Sequence, residues 1–594
     1  MSYRRKKLLA LFCATALSMT AVAGCTGTKS STGNVVSSET ETNAEETSAQ
    51  SEAGTFSSAD MFTERDLAGT YEESGAVYVT LSDDGIAGET DGVVIDGQMV
   101  TITAEGTYIF SGTLSEGQIV VDADNAKVQI VFDNVDITCA SSAAVYVKSA
   151  EKVFVTLAEG SQNTLRNTDE YVAIDDNNID AVIFAKSDLT LNGTGSLTII
   201  SAEGHGIVSK DDLKIIGGTY DITAAGHALS GKDSVRIADG TFILTAEKDG
   251  IHAENADDEE KGYIYIADGD FTITSDGDGM DASNIVQIED GTLDITAGGG
   301  SANSLKTHES DVPGGPGGGM PQNGEKLDGE SMPQMGEKPD GENMPQDTTT
   351  DESGTSTKGI KAGGGMYLNG GTYQIDSADD SIHSNANITI ADGTYTLATG
   401  DDGVHADDAL IVNGGTITVT ESYEGLEGLA VTINDGTIDI TASDDGINTA
   451  GEKMELNGGY IHILAGGDGV DSNGDLTING GEIYIDGPSD NGNSAIDYGD
   501  RSSAYVNGGT LVAIGSSGMA EGMSDSSKQE VLMVKLGEQM EAGDVELTDN
   551  EGNVIVSYTA LKSYDCVIIS TAEVESGATY TLTTSGTTTE VTAE

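Results

Sequence analysis

The chain has 594 residues, with 100 Asp and Glu against 27 Lys and Arg, a net charge of −73, 79 Gly and no Trp. So acidic a chain is excluded as a direct nucleic-acid binder, because phosphate recognition needs clustered cations. Periodic aliphatic and β-branched residues run through most of it, which excludes a disordered acidic polymer and allows a core.

The first residues read as an address. MSYRRKK is a basic n-region, Leu8 to Ala21 is a short apolar run, and Val22-Ala23-Gly24-Cys25 resembles the lipobox of bacterial lipoproteins. The run is too short to span a bilayer. Residues 1–25 are therefore expected to be a lipoprotein signal, with Cys25 lipidated outside the cytoplasmic membrane and membrane contact only through that lipid. A plain cleaved signal peptide is the alternative. Residues 26–72, rich in Ser, Thr, Glu and Ala without apolar periodicity, read as a disordered tether. Cys139 and Cys566 are open either to a disulfide or to two buried free thiols.

Residues 73–526 read as one repeat domain. Its first strands, such as VTITAEGTYIFSGTL at 100–114 and KVQIVFDNVDIT at 127–138, have the irregularity of a capping region. From there one phrase returns: acidic residues, Gly, an aliphatic residue, a polar residue, a short apolar strand and a Gly-rich turn. The Gly position is held by Gly206, Ala228, Gly250, Gly279, Gly359, Ser381, Gly403, Gly425, Gly446, Gly469 and Ala495, mostly 22 residues apart, with one step of 80. No single unit can bury its own apolar face, so neighbouring units must stack.

Leucine-rich repeats of this length need regular Leu and Asn positions and a helical segment, and a propeller blade needs about 40 residues. The period therefore predicts an all-β, right-handed parallel β-helix of about 22 residues per coil, with strands about 4.8 Å apart. Triplets such as Tyr220-Asp221-Ile222, Phe242-Ile243-Leu244 and Tyr373-Gln374-Ile375 put their outer members, tyrosines included, on an inward ladder. The 80-residue step marks an insertion at 304–357, whose Pro, Gly and Met repeats read as disordered. From 527 the phrase ends, and VLMVKLG, NVIVSYTAL and CVIIS read as a small C-terminal β domain over 527–594.

The acidic residues of the phrase fall at two fixed offsets from the Gly. Stacked coils would turn them into two columns along one edge. Carboxylates about 5 Å apart repel by ~3 kcal/mol at an effective dielectric of 20, so the columns must be solvated, partly protonated or filled with cations. Hard oxygens in excess point to Ca²⁺, with Gly letting carbonyls approach. The candidate ligands are Asp249, Asp278, Asp281, Asp380, Asp401, Asp402, Glu424, Glu427, Asp444, Asp445, Asp468 and Asp471. GGDGVDSNG at 466–474 partly matches a nonapeptide Ca²⁺ repeat, once only. Zn²⁺ at His383 and His405 is the weaker reading, since no thiol assists.

The blocks VTITAEGTYIFSGTL (100–114), AAVYVKSAEKVFVTLAEGSQNTL (143–165), STKGIKAGG (356–364) and SADDSIHSN (377–385) resemble a clostridial family of secreted carbohydrate-binding proteins. The resemblance spans about residues 75–590. It implies a polysaccharide-lyase-like β-helix with Ca²⁺ that binds cellulose and acidic pectin.

No GxSxG, HExxH or nucleotide-binding loop lies in a supporting context. A pectate lyase would need Ca²⁺ and a Lys or Arg base, for which Lys358 and Lys361 are the candidates. Carboxylates stabilise a charged Lys and make it a poor base, so salt bridging is the preferred reading and no catalytic residue is expected. Tyr484 and Tyr498 are candidate sugar platforms. The expectation is a monomeric extracellular lipoprotein that holds polysaccharide through a calcium-loaded edge. A pectate lyase and a calcium-stiffened adhesin are the alternatives.

Overall fold

The computed structural model describes residues 56–88, 90–172, 175, 177–306, 356–499 and 501–593. The expected signal with Cys25, the tether up to residue 55 and residues 307–355 of the insertion lie outside the described residues. The chain is nearly all β, with a long, predominantly parallel sheet and a separate four-stranded one. Among the described residues no helix is long and apolar enough to cross a membrane.

The pairing follows the repeat. Strand Thr219–Ala224 lies parallel to Thr241–Ala246, which pairs with Asp270–Ser275 and then Thr292–Ala297, so that Tyr220, Phe242, Phe271 and Leu293 face one another in register. Leu229–Gly231, Ile251–Ala253 and Met280–Ala282 form a second ladder, and Ser234–Ile237, Tyr263–Ile266 and Val286–Ile288 a third. Each of these strands thus pairs with the third strand after it. The 80-residue step is a single register step, since Met280 lies opposite Ile360.

Alternation puts the large side chains inside. Tyr220, Phe242, Phe271, Tyr373 and Tyr395 are all buried, and their rings stack at 5.3 Å (Tyr220–Phe242), 4.7 Å (Phe242–Phe271) and 4.5 Å (Tyr373–Tyr395). Burying such a ring contributes ~2 kcal/mol, provided that its hydroxyl is satisfied. The phenols of Tyr220, Tyr373 and Tyr395 donate to the carbonyls of Gly217, Gly370 and Asp392 at 2.9, 2.8 and 2.9 Å, in the turn just before each strand.

Two glycine positions explain the motif. Gly415 in the NGGT turn has φ +90°, a conformation that costs other residues energy. At Gly446 an added Cβ would collide with Ile463 and with the Gly469 carbonyl of the next coil. Beside these turns, Asn413, Asn434, Asn457, Asn479 and Asn507 form an exposed amide ladder, each Nδ2 donating to the previous Oδ1 at 2.8–2.9 Å.

Both ends depart from expectation. Residues 56–72, read as the last part of a disordered tether, include two short helices, Ser58–Met61 and Glu64–Leu67, docked on the sheet. Phe56 packs on Tyr263 with ring centroids 4.3 Å apart. Asp66 is fully buried, 2.6 Å from Lys152 Nζ, and accepts from the Thr190 hydroxyl at 2.8 Å. A few apolar anchors and one carboxylate outweigh the polar average of the segment. At the other end, Tyr564–Ser570 runs antiparallel to both Thr510–Gly515 and Leu532–Met540 and so extends the long sheet. Only Gly543–Thr548, Val554–Ala560, Thr579–Thr584 and Thr587–Thr592 make the separate antiparallel sheet. Cys139 and Cys566 are both free and buried.

Burial alone would raise the Asp66 pKa, but Lys152, Thr63 and Thr190 outweigh it and hold the carboxyl at about 2. Its stabilising contribution is therefore complete above the ordinary 3.8 and lost as the pH falls through about 2. Asp66→Ala strands the Lys152 ammonium and should cost ~3 kcal/mol of docking energy. Limited proteolysis at neutral pH should then cut within residues 56–72. Unchanged resistance would show that the apolar anchors suffice.

Candidate cation-binding edge

The two columns exist in register. His252, Asp281, Lys361, His383, His405, Glu427, Asn448, Asp471 and Asp497 stand opposite one another in turn. In the other column one oxygen of each aspartate accepts the backbone N–H of the next rung. Asp249 Oδ1 accepts from Asp278 at 2.9 Å, Asp278 Oδ1 from Lys358 at 2.7 Å and Asp380 Oδ1 from Asp402 at 3.1 Å. Asp402 Oδ1 accepts from Glu424 at 3.2 Å, Asp445 Oδ1 from Asp468 at 2.6 Å and Asp468 Oδ1 from Ser494 at 2.5 Å. An acceptor is needed there because the amide is otherwise unsatisfied. In Asp249, Asp278, Asp380 and Asp402 the second oxygen meets the neighbouring column.

Side-chain cations neutralise the N-terminal part of this edge, which breaks the expected continuous row of metal sites. His252 Nδ1 lies 3.0 Å from Asp249 and 3.6 Å from Asp281, and Lys361 Nζ lies 3.5 Å from Asp278 and 3.3 Å from Asp281. Lys358 Nζ reaches Asp380 at 2.5 Å and Asp379 at 3.0 Å. Lys306 reaches the same Asp379 at 2.6 Å and also pairs with Asp401. His383 lies 2.8 Å from Asp380, and His405 lies 3.2 Å from Asp402 and 3.3 Å from Glu427.

The electrostatics follow from these pairs. Burial works against the charge of Lys358 and Lys306, but the surrounding carboxylates outweigh it and raise both pKa values. Burial likewise opposes the charge of His405, yet Asp402, Asp380 and Glu427 lift it to about 10. Asp401 is pushed up to about 9 by burial and by Asp402 and Asp380. Lys358 and Lys361 are thus ion-paired ammonium groups, poor candidates for a base. The acids Asp278, Asp380, Asp401 and Asp402 already face cations where a metal would sit. His383 and His405, the candidates for Zn²⁺, are each tied to a carboxylate, and Lys358 shares Asp380 with His383.

Further along, the cations stop. Glu424 accepts from Asn448 Nδ2 at 2.9 Å. Beyond it Asp445, Asp468 and Asp471 each offer an oxygen within 4.8 Å of the others. Among the described residues none of the three has an ion pair with Lys, Arg or His. Burial, then the neighbouring carboxylates, raises Asp445 to about 8 and Asp471 to about 6, and Asp468 stands at about 7 despite its bond from Ser494. An added Cβ at Gly467 would collide with Asp444 Oδ1 and Asp445 Oδ1, so the glycine keeps open the space beside them. Uncompensated all-oxygen donors around a space that a Cβ would fill suit Ca²⁺.

Lys306 and Asp379 were not among the sequence candidates. Lys306 lies 95 residues from Asp401, outside the repeat, so no period points to it. The proposed sugar platforms are engaged within the protein. Tyr484 stacks on Tyr558 at 5.2 Å and is tilted against Tyr460 at 5.7 Å, while the Tyr498 hydroxyl donates to the Gly522 carbonyl at 2.6 Å. Tyr460, 42% exposed, is the more accessible ring.

Comparison with known proteins identifies a family. A family model described as carbohydrate-binding domain-containing protein matches residues 96–403 and 401–580. A curated relative of the same description from Acetivibrio thermocellus is 40% identical over 139 residues, 23% of this chain and 49% of the relative. The chain thus spans about half the length of that relative. A solved structure described as a polysaccharide lyase-like protein from C. thermocellum, a gadolinium derivative, is 36% identical over 38% of this chain and 92% of its own, with a TM-score of 0.37. The two matched segments of the family model together cover most of the sequence, and the chain belongs to the family of carbohydrate-binding domain-containing proteins.

Proposed function

We propose that this is an extracellular, lipid-anchored protein, built as a right-handed parallel β-helix, that holds acidic pectin-type polysaccharide, and secondarily cellulose, through Ca²⁺. Family membership supports carbohydrate as the ligand. The pairing of the strands at 219–246 with the third strand after each supports the coil. The observation that carries the calcium reading is the convergence of Asp445, Asp468 and Asp471 without a side-chain cation.

Those three residues, with Asp444 beside them, would hold the ion. Bound Ca²⁺ supplies the positive charge that lets a polyuronate approach so acidic a protein. Asp445 and Asp468 are fixed by the amides of the next coil, so the donor set is preorganised. The ion-paired state of Lys358 and Lys361 favours binding over cleavage.

Retention on immobilised polygalacturonate tests this reading. It should require Ca²⁺, drop at least tenfold in chelator, and drop similarly in Asp445→Ala with Asp468→Ala. Undiminished retention after demonstrable metal removal would sink the calcium bridge and direct attention to Tyr460.

A further inference from the structure

We propose that residues 56–72 cover a second polysaccharide track, which needs no Ca²⁺ and takes an acidic chain when this segment is displaced. The ligand class rests on carbohydrate being what the protein binds, while the track itself is separate from the calcium edge.

The covered surface is one outward column of the long sheet. Phe154, Thr190, Lys214, Arg236, Tyr265 and Gln287 stand opposite one another in turn. Their strand neighbours, such as Leu189, Val235 and Ile264, belong to the core, so alternation turns the column outward. An outward row of a surface sheet is normally wet. Here Thr190, Tyr265 and Gln287 are buried, and each touches residues 56–72.

The segment is held as a ligand is held. It runs across the strands, and among the described residues no strand pairing fixes it. Side chains grip its backbone instead. Gln287 accepts the Phe56 N–H at 2.6 Å and donates to its carbonyl at 3.0 Å, and Arg236 donates to the Met61 carbonyl at 3.3 Å. Asn192 donates to the Asp66 carbonyl at 3.3 Å and Gln129 to that of Thr70 at 3.0 Å. Amide and guanidinium donors beside aromatic rings are the groups that hold a sugar chain. Phe56 lies on Tyr263 where a sugar ring would stack, and the Asp66 carboxylate meets Lys152 Nζ at 2.6 Å and the Thr190 hydroxyl at 2.8 Å, as a uronate would.

Charge fits the same occupant. Residues 56–72 carry Asp60, Glu64, Asp66 and Glu72 against Arg65 alone. Beneath them Lys152, Lys214 and Arg236 face Asp188 and Asp212, a local positive excess on an acidic protein. At about 0.15 M salt charges beyond about 8 Å are screened, so this excess outweighs the distant acids. Rungs about 4.8 Å apart are close to the rise of a sugar unit, so successive units can meet successive rungs.

The track is tested with full-length protein on immobilised polygalacturonate, in chelator at physiological salt. Wild type should pass through. Phe56→Ser with Phe62→Ser and Asp66→Ala should be retained at least tenfold more strongly, with protease cleavage within 56–72 showing that the segment is loose. The gain should persist with Asp445→Ala and Asp468→Ala added, and disappear with Lys152→Gln and Arg236→Gln added. In wild type, soluble oligogalacturonate in chelator should speed cleavage within 56–72, because ligand and segment compete. No gain in the opened variant, a gain that survives loss of Lys152 and Arg236, or a cleavage rate indifferent to oligogalacturonate would overturn the track. Equal retention on polyglutamate would overturn its assignment to sugar. Each of these results leaves the calcium reading at Asp445 untouched, since the chelator removes that route.

Discussion

Lys358→Met is expected to destabilise the folded protein by ~3 kcal/mol, because it removes one partner from a buried ion cluster and leaves the other charges in place. Asp380 is 1% exposed, with Lys358 2.5 Å and His383 2.8 Å away. Without the ammonium, Asp380 keeps only its contact with the His383 ring, while Lys306 serves Asp379 and Asp401. Chemical denaturation of wild type and variant measures the difference. Lys148→Met is the control, since its pair with Asp122 is about 40–45% exposed and such screened surface pairs add little to stability. Equal losses in the two variants would show that the cluster is solvated, and the steric case against metal at Asp380 would fall with it.

The second large effect reverses sign with calcium. Asp445→Asn with Asp468→Asn keeps an oxygen for the Asp468 and Ser494 amides but removes two charges from a group whose oxygens lie within 4.8 Å. Charges at that distance repel by ~3 kcal/mol at an effective dielectric of 20. In chelator above pH 8, where the wild-type carboxyls at about 8 and about 7 are ionised, the double variant should be the more stable protein, by roughly 1–3 kcal/mol. In excess Ca²⁺ the order should invert. An ion that binds only the native state raises the wild-type melting temperature with its concentration, and the variant has lost the ligands. Melting curves for both proteins, with and without Ca²⁺, give the four values. A variant that gains as much from Ca²⁺ as wild type does would remove Asp445 and Asp468 from the site.

The sequence by itself determined whatever recurs in every coil. The spacing of the Gly positions, the inward triplets around Tyr220 and Phe242, and the two acidic offsets all appear in the structure at the register that a 22-residue step implies. Such features are local: a turn needs its glycine, a strand its alternation, and the next amide an acceptor at a fixed place. Even the 80-residue step was legible, because Met280 and Ile360 hold equivalent positions on either side of it. Tertiary structure alone decided what happens once. Lys306 reaches Asp401 across 95 residues, Asp66 reaches Thr190 across 124, and Tyr558 covers Tyr484 from a strand outside the repeat. Of these, the Lys306 contact adds to the acidic edge a cation that no period predicts. Periodicity cannot reveal such contacts, because each depends on a partner that arrives from outside the repeating positions.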